Sequence, residues 1–220
     1  MKVINLSEQP SLLNQYLKEL RSVEIQTDSM RFRHNIERIG ELMAVEISKH
    51  LTYATEQVQT PLAVATMQVP QDQVVLGTVL RAGLPMHQGF LNMFDHAENA
   101  FVSAYRKEVE DIQGNTQLEI VSEYLAAPSL EGKTLILVDP MLATGMSMEI
   151  AYKALLSHGT PKHVHIACVF GTPQSIQYLS DNMPENATLW CAVVDPVLNE
   201  KKYIVPGLGD AGDLCFGKKL

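Results

Sequence analysis

The strongest constraint on the fold of this chain is the segment VDPMLATGMSM, which begins at Val138. The run TLILV, residues 134–138, is continuously apolar and rich in β-forming residues, so it predicts a buried strand that ends at Asp139. Small residues follow, and they let backbone N–H groups approach a ligand closely. We predict that Ser147 then caps a helix, which ends at Gly159. The segment therefore predicts a strand, a tight loop and a helix start.

The loop, residues 143–147, is suited to a phosphate group. Backbone N–H groups and the positive end of the helix dipole both point into a loop at a helix N-terminus, and they stabilise a dianion without a lysine. A Walker-type loop is excluded, because it requires a Lys before its Ser or Thr and this chain has Gly145 and Met146 there. An ordinary strand-to-helix turn is the alternative to this phosphate loop.

A literal G-x-G-x-x-G is formed near the C-terminus by Gly207, Gly209 and Gly212 in PGLGDAGD. We expect no room after it for a helix and a second strand, so a Rossmann dinucleotide site is excluded by context. The glycines instead allow unusual dihedrals and a close approach to a ligand, with a merely tight turn as the alternative.

Apolar periodicity predicts one long helix before the sheet. Asp28 is placed to cap it, and its apolar residues recur in steps of three and four. We expect these residues to form a packing surface: Phe32, Ile36, Ile39, Met43 and Ile47.

The order of the remaining elements predicts an α/β fold with a mostly parallel central sheet flanked by helices. Residues 58–69 predict a β-hairpin arm before that sheet, with an exposed loop as the alternative. Thr172 and Pro173 predict the cap and first turn of a helix. Strand-like runs occur at residues 74–80, 100–105, 134–138, 164–170 and 188–194.

These motifs resemble the type I phosphoribosyltransferases, and most closely the uracil phosphoribosyltransferase family. The loop of that family reads nearly as DPMLATGGS, and this chain has DPMLATGMS from Asp139. The resemblance covers almost the whole chain, and PGLGDAGD is specific to the uracil enzymes. Further segments agree in the family order: RFR at Arg31, LRAG at Leu80, YR at Tyr105, LN at Leu198 and YIVPGLGDAGD at Tyr203.

Two positions depart from the wider pattern. Met146 replaces the glycine of most members, so the loop must accommodate a side chain there. Pro140 stands where other type I enzymes have a second acid, although the uracil family shares that proline. Asp139 is therefore the sole carboxylate at this point of the loop.

The resemblance implies a reaction between uracil N1 and C1 of phosphoribosyl pyrophosphate (PRPP), giving UMP and pyrophosphate. It assigns catalytic roles to Asp139, Arg106 and Asp210. For uracil it implies contacts with Ile204, Gly209, Asp210 and Ala211. For PRPP it implies contacts with Arg81, Arg106, Asp139, Pro140, Met141, Leu142, Ala143, Thr144, Gly145, Met146, Ser147 and Asp210.

By the same resemblance, the phosphate loop holds the 5-phosphate, Asp139 contacts the ribose hydroxyls, and Arg81 and Arg106 approach pyrophosphate. Each of these three residues directly follows a predicted strand, so we expect them to meet at one edge of the sheet. Arg106 also begins a charged segment, RKEVEDIQGNTQ, which we expect to be mobile and to close over the substrate.

Magnesium is implied by the clustered phosphate charge of PRPP. Mg²⁺ commonly arrives with phosphates and keeps several waters, so no dedicated protein metal cage is expected. His163 and His165 form a possible ligand pair, but no third ligand lies at a recognisable spacing. Three widely spaced cysteines predict reduced, structural thiols.

Composition and charge suit a cytoplasmic enzyme. A chain of 220 residues with 46% hydrophobic residues can bury a sizeable core, and we expect one domain over residues 1–220. Its net charge of −8 and lack of a basic run argue against nucleic-acid or membrane binding. The N-terminal MKVINLSEQP lacks the apolar core of a signal peptide. The resemblance implies a homodimer or a larger homo-oligomer.

Two other functions remain open. A regulator could have kept the phosphoribosyl site to bind nucleotides or RNA, although the acidic charge counts against it. A transferase for a purine or another pyrimidine is the second alternative, and PGLGDAGD argues against it.

Overall fold

A computed structural model describes the backbone of residues 1–110 and 116–218, and the side chains of residues 1–103 and 124–218. The strands are β1 (Lys2–Asn5), β2 (Tyr53–Gln59), β3 (Val64–Pro70), β4 (Val74–Val79), β5 (Glu98–Glu110), β6 (Thr116–Ala126), β7 (Thr134–Val138), β8 (His163–Gly171), β9 (Ala187–Val194), β10 (Val197–Leu198) and β11 (Ile204–Val205). The α-helices are α1 (Leu12–Arg21), α2 (Ser29–Ser48), α3 (Leu84–Met93), α4 (Met146–Leu155), α5 (Pro173–Asn182) and α6 (Ala211–Phe216).

Seven of the described strands form one large sheet in the order β1-β9-β8-β7-β4-β5-β6. Every neighbouring pair in it is parallel except β5 and β6, which are antiparallel. This arrangement confirms the predicted α/β fold with a mostly parallel sheet. The carboxyl ends of β4, β7, β8 and β9 therefore lie at one edge.

Helices cover both faces of the sheet, and each face has its own apolar core. Side chains alternate across the sheet, so Ile136 and Val138 of β7 pack in one core while Leu135 and Leu137 pack in the other. The first core is completed by α1, α2 and α3, and the second by α4 and α5. Burial on both faces explains why β7 reads as a continuous apolar run.

The long predicted helix is confirmed as α2. The carboxylate of Asp28 accepts hydrogen bonds from the backbone N–H groups of Met30 and Arg31, as a helix cap does. The predicted stripe is buried along the helix, from Phe32 to Ile47. Thr172 likewise caps α5, with Pro173 in its first turn.

The predicted hairpin arm is confirmed as β2 and β3. It is longer than predicted, since pairing begins with Tyr53 opposite Pro70 and ends with Gln59 opposite Val64. The two strands form a separate sheet and are mostly exposed.

The elements that the sequence prediction missed include β1 and α1. The N-terminal residues form a short strand parallel to β9, with Ile4 opposite Trp190. A strand of this length at the sheet edge has too few residues for a clear alternation, so no pattern identified it. Within the described residues, no helix is long and apolar enough to cross a membrane.

Candidate active site

A cavity of about 240 Å³ lies at the carboxyl edge of the sheet. Its wall is built from the ends of β4 and β7, from the β10–β11 hairpin and from the segment that follows β11. It brings together these residues from the predicted site: Arg81, Asp139, Met141, Ala143, Ile204, Gly209, Asp210 and Ala211.

A second, smaller cavity of about 60 Å³ adjoins the first. The two share Asp139, Met141 and Ala143 in their walls. The predicted phosphate loop therefore borders the cavity that the C-terminal glycine-rich segment closes. The smaller cavity is lined by Asp139, Met141, Leu142, Ala143, Thr144, Gly145, Ser147 and Met148.

Hydrogen bonds from neighbouring elements fix the entry to the phosphate loop. The Leu142 N–H donates to the Phe170 carbonyl at 2.8 Å. The Thr172 hydroxyl donates to the Ala143 carbonyl at 2.9 Å. β8 and the cap of α5 therefore hold the backbone at the start of the loop.

The prediction that Ser147 caps the next helix is wrong. Gly145 is the N-cap of α4, and Ser147 is the second residue within it. Gly145 has a φ of 83°, a left-handed conformation that glycine adopts without strain. A Cβ there would lie 3.2 Å from the side chains of Leu179 and Tyr178, so glycine also allows the close packing of α5.

Among the predicted PRPP contacts whose side chains the structure describes, Pro140 and Met146 line neither cavity. The Pro140 carbonyl instead accepts a hydrogen bond from the Phe170 N–H at 2.9 Å, so it joins the loop to β8. Met146 is the first residue of α4 and is half-buried, so the loop accommodates this departure from glycine.

Asp139 directly follows β7 and lies in the walls of both cavities. Its Oδ1 accepts a hydrogen bond from the Met141 N–H at 3.1 Å. Burial raises the pKa of this carboxyl to about 7, and the hydrogen bond from Met141 only partly opposes that effect. The pKa of this carboxyl therefore lies near neutral pH.

Arg81 lies two positions beyond the end of β4 and enters the wall of the larger cavity. Its Nη2 donates to the Gly217 carbonyl at 2.9 Å and lies 3.4 Å from Oδ1 of Asp213. Its Nε is buried and has no hydrogen-bond partner among the described residues. The guanidinium is thus held by the C-terminal segment at the wall of the cavity.

The prediction that Arg106 follows a strand is wrong. The residue lies within β5, opposite Ile120 of β6, because β5 is longer than the apolar run that predicted it. Its side chain lies outside the described residues. Val102 of β5 pairs with Val79 at the end of β4, and β5 continues beyond it. The hairpin of β5 and β6 therefore extends past the edge of the sheet that holds the cavity.

The segment RKEVEDIQGNTQ therefore begins and ends in paired strands rather than in an irregular loop. Residues 111–115, at its centre, lie outside the described residues. Its predicted mobility and closure over a substrate stay predictions.

The C-terminal segment, residues 204–212 and here called the base loop, closes the larger cavity. Gly207 has a φ of 52°, and a Cβ there would lie 2.2 Å from the Ile204 carbonyl, so this turn requires glycine. Asp210 caps α6 by accepting a hydrogen bond from the Asp213 N–H at 2.9 Å. The six-residue helix α6 begins at Ala211 and includes Gly212, and no strand follows it within the described part of the chain.

Sequence reasoning did not identify Lys202, which also lines the larger cavity. Its φ of 64° makes it the one non-glycine residue with positive φ in the described part of the chain. The N–H of Lys202 donates to the Asn199 carbonyl in the turn between β10 and β11. No composition or spacing signal marks such a turn residue as part of a site.

The two predicted candidate metal ligands do not form a metal site. The Trp190 Nε1–H donates to His165 Nδ1 at 3.2 Å, so this histidine is a buried packing residue while His163 is exposed. Burial lowers the pKa of His165 to about 4, and it is neutral at ordinary pH. No cluster of three or more potential ligands occurs within the residues described. Cys168, Cys191 and Cys215 are free and buried.

Comparisons with known proteins show which family this chain resembles over its length. The family model described as uracil phosphoribosyltransferase matches residues 7–218. A uracil phosphoribosyltransferase from Porphyromonas gingivalis is 56% identical over 220 residues, which cover 100% of each chain. Another, from Thermococcus gammatolerans, is 36% identical over 99% of this chain and 94% of the relative. A solved structure of a protein from Aquifex aeolicus has a TM-score of 0.82 and 25% identity over 98% of each chain.

Proposed function

The chain belongs to the uracil phosphoribosyltransferase family, and on that premise we propose that it converts uracil and PRPP into UMP and pyrophosphate. The observation that carries the proposal is the shared wall at Asp139, where the phosphate-loop cavity meets the cavity closed by the base loop. A phosphate and a base that occupy these two cavities are joined by one ribose. The contact between the two cavities supports the binding of a molecule that carries both a phosphate and a base.

In the proposed reaction, the bond from C1 to the pyrophosphate oxygen breaks and the bond from C1 to uracil N1 forms. The N1 proton leaves, and pyrophosphate departs with the bonding electrons. The ring carbon becomes cationic in between, so the protein acts by positioning the reactants and by electrostatic stabilisation. No covalent nucleophile is required.

Each recognition element then has a role. The phosphate loop holds the 5-phosphate at the N-terminus of α4, where backbone N–H groups and the helix dipole favour an anion. The Asp139 carboxylate accepts hydrogen bonds from the ribose hydroxyls. Arg81 donates to pyrophosphate, and its unpartnered Nε supports this role. Arg106 is proposed to assist from β5, as the family pattern implies.

The base loop recognises uracil through its backbone. Ile204, Gly209 and Ala211 lie in the cavity wall, and two of them flank the tight turn at Gly207. Backbone N–H and C=O groups cannot exchange donor for acceptor by rotation, as an amide side chain can. The loop therefore presents a fixed pattern to the base, while Asp210 faces the phosphoribosyl group.

The site also fits Mg²⁺ that arrives with PRPP. The carboxylates of Asp139 and Asp210 lie in the wall of the same cavity and supply the oxygen ligands that Mg²⁺ prefers. When bound, the ion neutralises pyrophosphate charge as the leaving group departs.

We extend the proposal to one catalytic domain over residues 1–220, working in the cytoplasm as a homo-oligomer. Free, buried thiols support a reducing compartment. The exposed arm formed by β2 and β3 carries apolar side chains such as Val58, Leu62 and Val64, which support self-association. Light scattering coupled to size-exclusion chromatography measures the assembly directly.

An assay of nucleotide formation tests the proposed function. The protein is incubated with PRPP and Mg²⁺ and with uracil, hypoxanthine or orotate, and the product is identified by chromatography. We expect UMP from uracil and no turnover of the other bases. Turnover of a different base would assign a different transferase, and PRPP binding without turnover would favour the regulator.

A further inference from the structure

We propose that Arg21 and Asp195 form a positioning pair that holds the base loop in its uracil-binding conformation. The inference deepens the proposed function and rests on it. Arg21 ends α1, and Asp195 directly follows β9, so two distant elements supply the pair.

The pair is a two-pronged ionic contact. Nη2 of Arg21 lies 2.6 Å from Oδ1 of Asp195, and Nη1 lies 2.9 Å from Oδ2. Asp195 is only 3% exposed, so its carboxylate is shielded from water, while the Arg21 side chain is partly exposed. A charge-assisted, bidentate contact of this kind fixes geometry as well as contributing energy.

Both members of the pair also contact the backbone of Gly207. The Gly207 N–H donates to Oδ2 of Asp195 at 2.9 Å, and Nη1 of Arg21 donates to the Gly207 carbonyl at 3.1 Å. Both backbone polar groups of Gly207, its N–H and its carbonyl, are therefore hydrogen-bonded to the pair. Because these groups are already bonded, Gly207 shapes the loop rather than binding the base.

The pair acts at a distance from the substrate. Arg21, Asp195 and Gly207 do not line the larger cavity, whereas Ile204 and Gly209 on either side of the turn do. A shift of the Gly207 backbone would move both of these neighbours. Arg21 and Asp195 are therefore positioning residues, and they act through the base loop.

The same pair connects the base loop to the end of β8, which also holds the phosphate loop. The guanidinium carbon of Arg21 lies 4.7 Å from the ring centroid of Phe170, whose carbonyl accepts the hydrogen bond from Leu142. The Asp195 N–H donates to the Gly171 carbonyl at 2.9 Å. The end of β8 thus serves as a common support, which keeps the uracil and phosphate sites at a fixed separation.

The test replaces Arg21→Lys, which keeps the charge but cannot hold both carboxylate oxygens and the Gly207 carbonyl with one ammonium. We expect the KM for uracil to rise roughly ten- to a hundredfold, with the KM for PRPP changed by less than about threefold. The preference for uracil over cytosine should fall by roughly tenfold or more, because the backbone pattern is less rigid. Asp195→Asn should change the same quantities in the same direction.

Arg31→Lys is the matched control. Nη1 of Arg31 lies 3.1 Å from Oε2 of Glu19, so that pair also joins α1 to another element but does not contact the base loop. We expect its uracil KM to match that of the wild type. A lower melting temperature for Arg21→Lys with an unchanged uracil KM and base preference would show a merely structural pair and overturn the proposal.

Amide hydrogen exchange separates this inference from the proposed function. In the unliganded protein, Arg21→Lys should speed exchange at Gly207 by roughly tenfold or more, while amides of α5 are unaffected. We expect this result whether or not the wild type makes UMP. If the wild type makes no UMP, the proposed function is refuted but the positioning role is not. Unchanged exchange at Gly207 would overturn the positioning role even in an active enzyme.

Discussion

Arg81 and Asp139 line the same cavity because the strands that precede them are hydrogen-bonded neighbours, with Thr78 of β4 opposite Val138 of β7. The cation proposed to bind the leaving pyrophosphate and the carboxylate proposed to bind the ribose thus lie at one edge of the sheet. Because Arg81 and Asp139 come from separate strands, the role of each side chain can be tested by its own replacement.

Replacement Asp139→Asn should leave the fold intact and lower kcat/KM for PRPP by roughly ten- to a thousandfold. The reason is the loss of a charged hydrogen bond to the ribose, which costs on the order of 1.5–3 kcal/mol. The cost is larger if the ribose is also less well positioned for the reaction. Initial-rate kinetics measure the effect. The control is Asp181→Asn on α5, whose carboxylate contacts Gln177, and it should be as active as the wild type. Unchanged kinetics for Asp139→Asn would make Asp139 a purely structural residue.

The pH dependence of kcat/KM for PRPP should show an acid limb near pH 7. Burial raises the pKa of Asp139 to about 7 in the free protein, so the ionised form that accepts the ribose hydrogen bonds is lost below that pH. Titration of PRPP itself affects the wild type and Asp139→Asn equally. A profile of the same shape in both proteins would therefore contradict this assignment.

The same carboxyl should reduce stability at alkaline pH. Its pKa is raised from 3.8 to about 7 on folding, so the folded protein binds the proton more tightly than the unfolded chain does. The resulting stabilisation is full below pH 3.8 and is lost as pH rises through 7. Asp139→Asn should therefore stabilise the protein above pH 7, by at most about 4 kcal/mol, and by less at pH 5. Denaturant unfolding at both pH values checks this, and an equal effect at both would contradict it.

Replacement Arg106→Lys should not be conservative. A lysine keeps the charge but loses the two parallel hydrogen bonds of a guanidinium, so the variant should bind uracil normally and handle pyrophosphate poorly. Pyrophosphorolysis of UMP measures this step directly. The control is Arg38→Lys, since Arg38 lies over the Tyr16 ring away from the cavity. Full activity of Arg106→Lys would remove Arg106 from the site.

Local patterns were sufficient to predict much of the fold. The stripe from Phe32 to Ile47 has helical period and an Asp28 cap, and the buried β7 reads as an unbroken apolar run. These features arise from neighbouring residues in the sequence, so one segment reveals them. The order of strand, loop and helix around residues 139–147 was predictable for the same reason.

Features set by tertiary contacts were not predictable in this way. Strand β5 continues through charged residues beyond Tyr105 because β6 pairs with it, and pairing outweighs the local pattern. Arg21 and Asp195 are 174 positions apart, and no local signal joins them. The N-cap at Gly145 depends on the space left by α5, which the loop sequence does not reveal.

Competition between uracil and cytosine tests the central claim most directly, because that claim joins the phosphate loop and a rigid base loop in one transferase. Uracil presents an acceptor at O4 and a donor at N3, whereas cytosine presents the opposite pair, and backbone groups beside Ile204 and Gly209 cannot change roles. With PRPP, Mg²⁺ and equal concentrations of the two bases, UMP should exceed CMP by about 10⁴-fold or more. Comparable amounts of UMP and CMP, or no UMP from well-folded protein, would contradict the account.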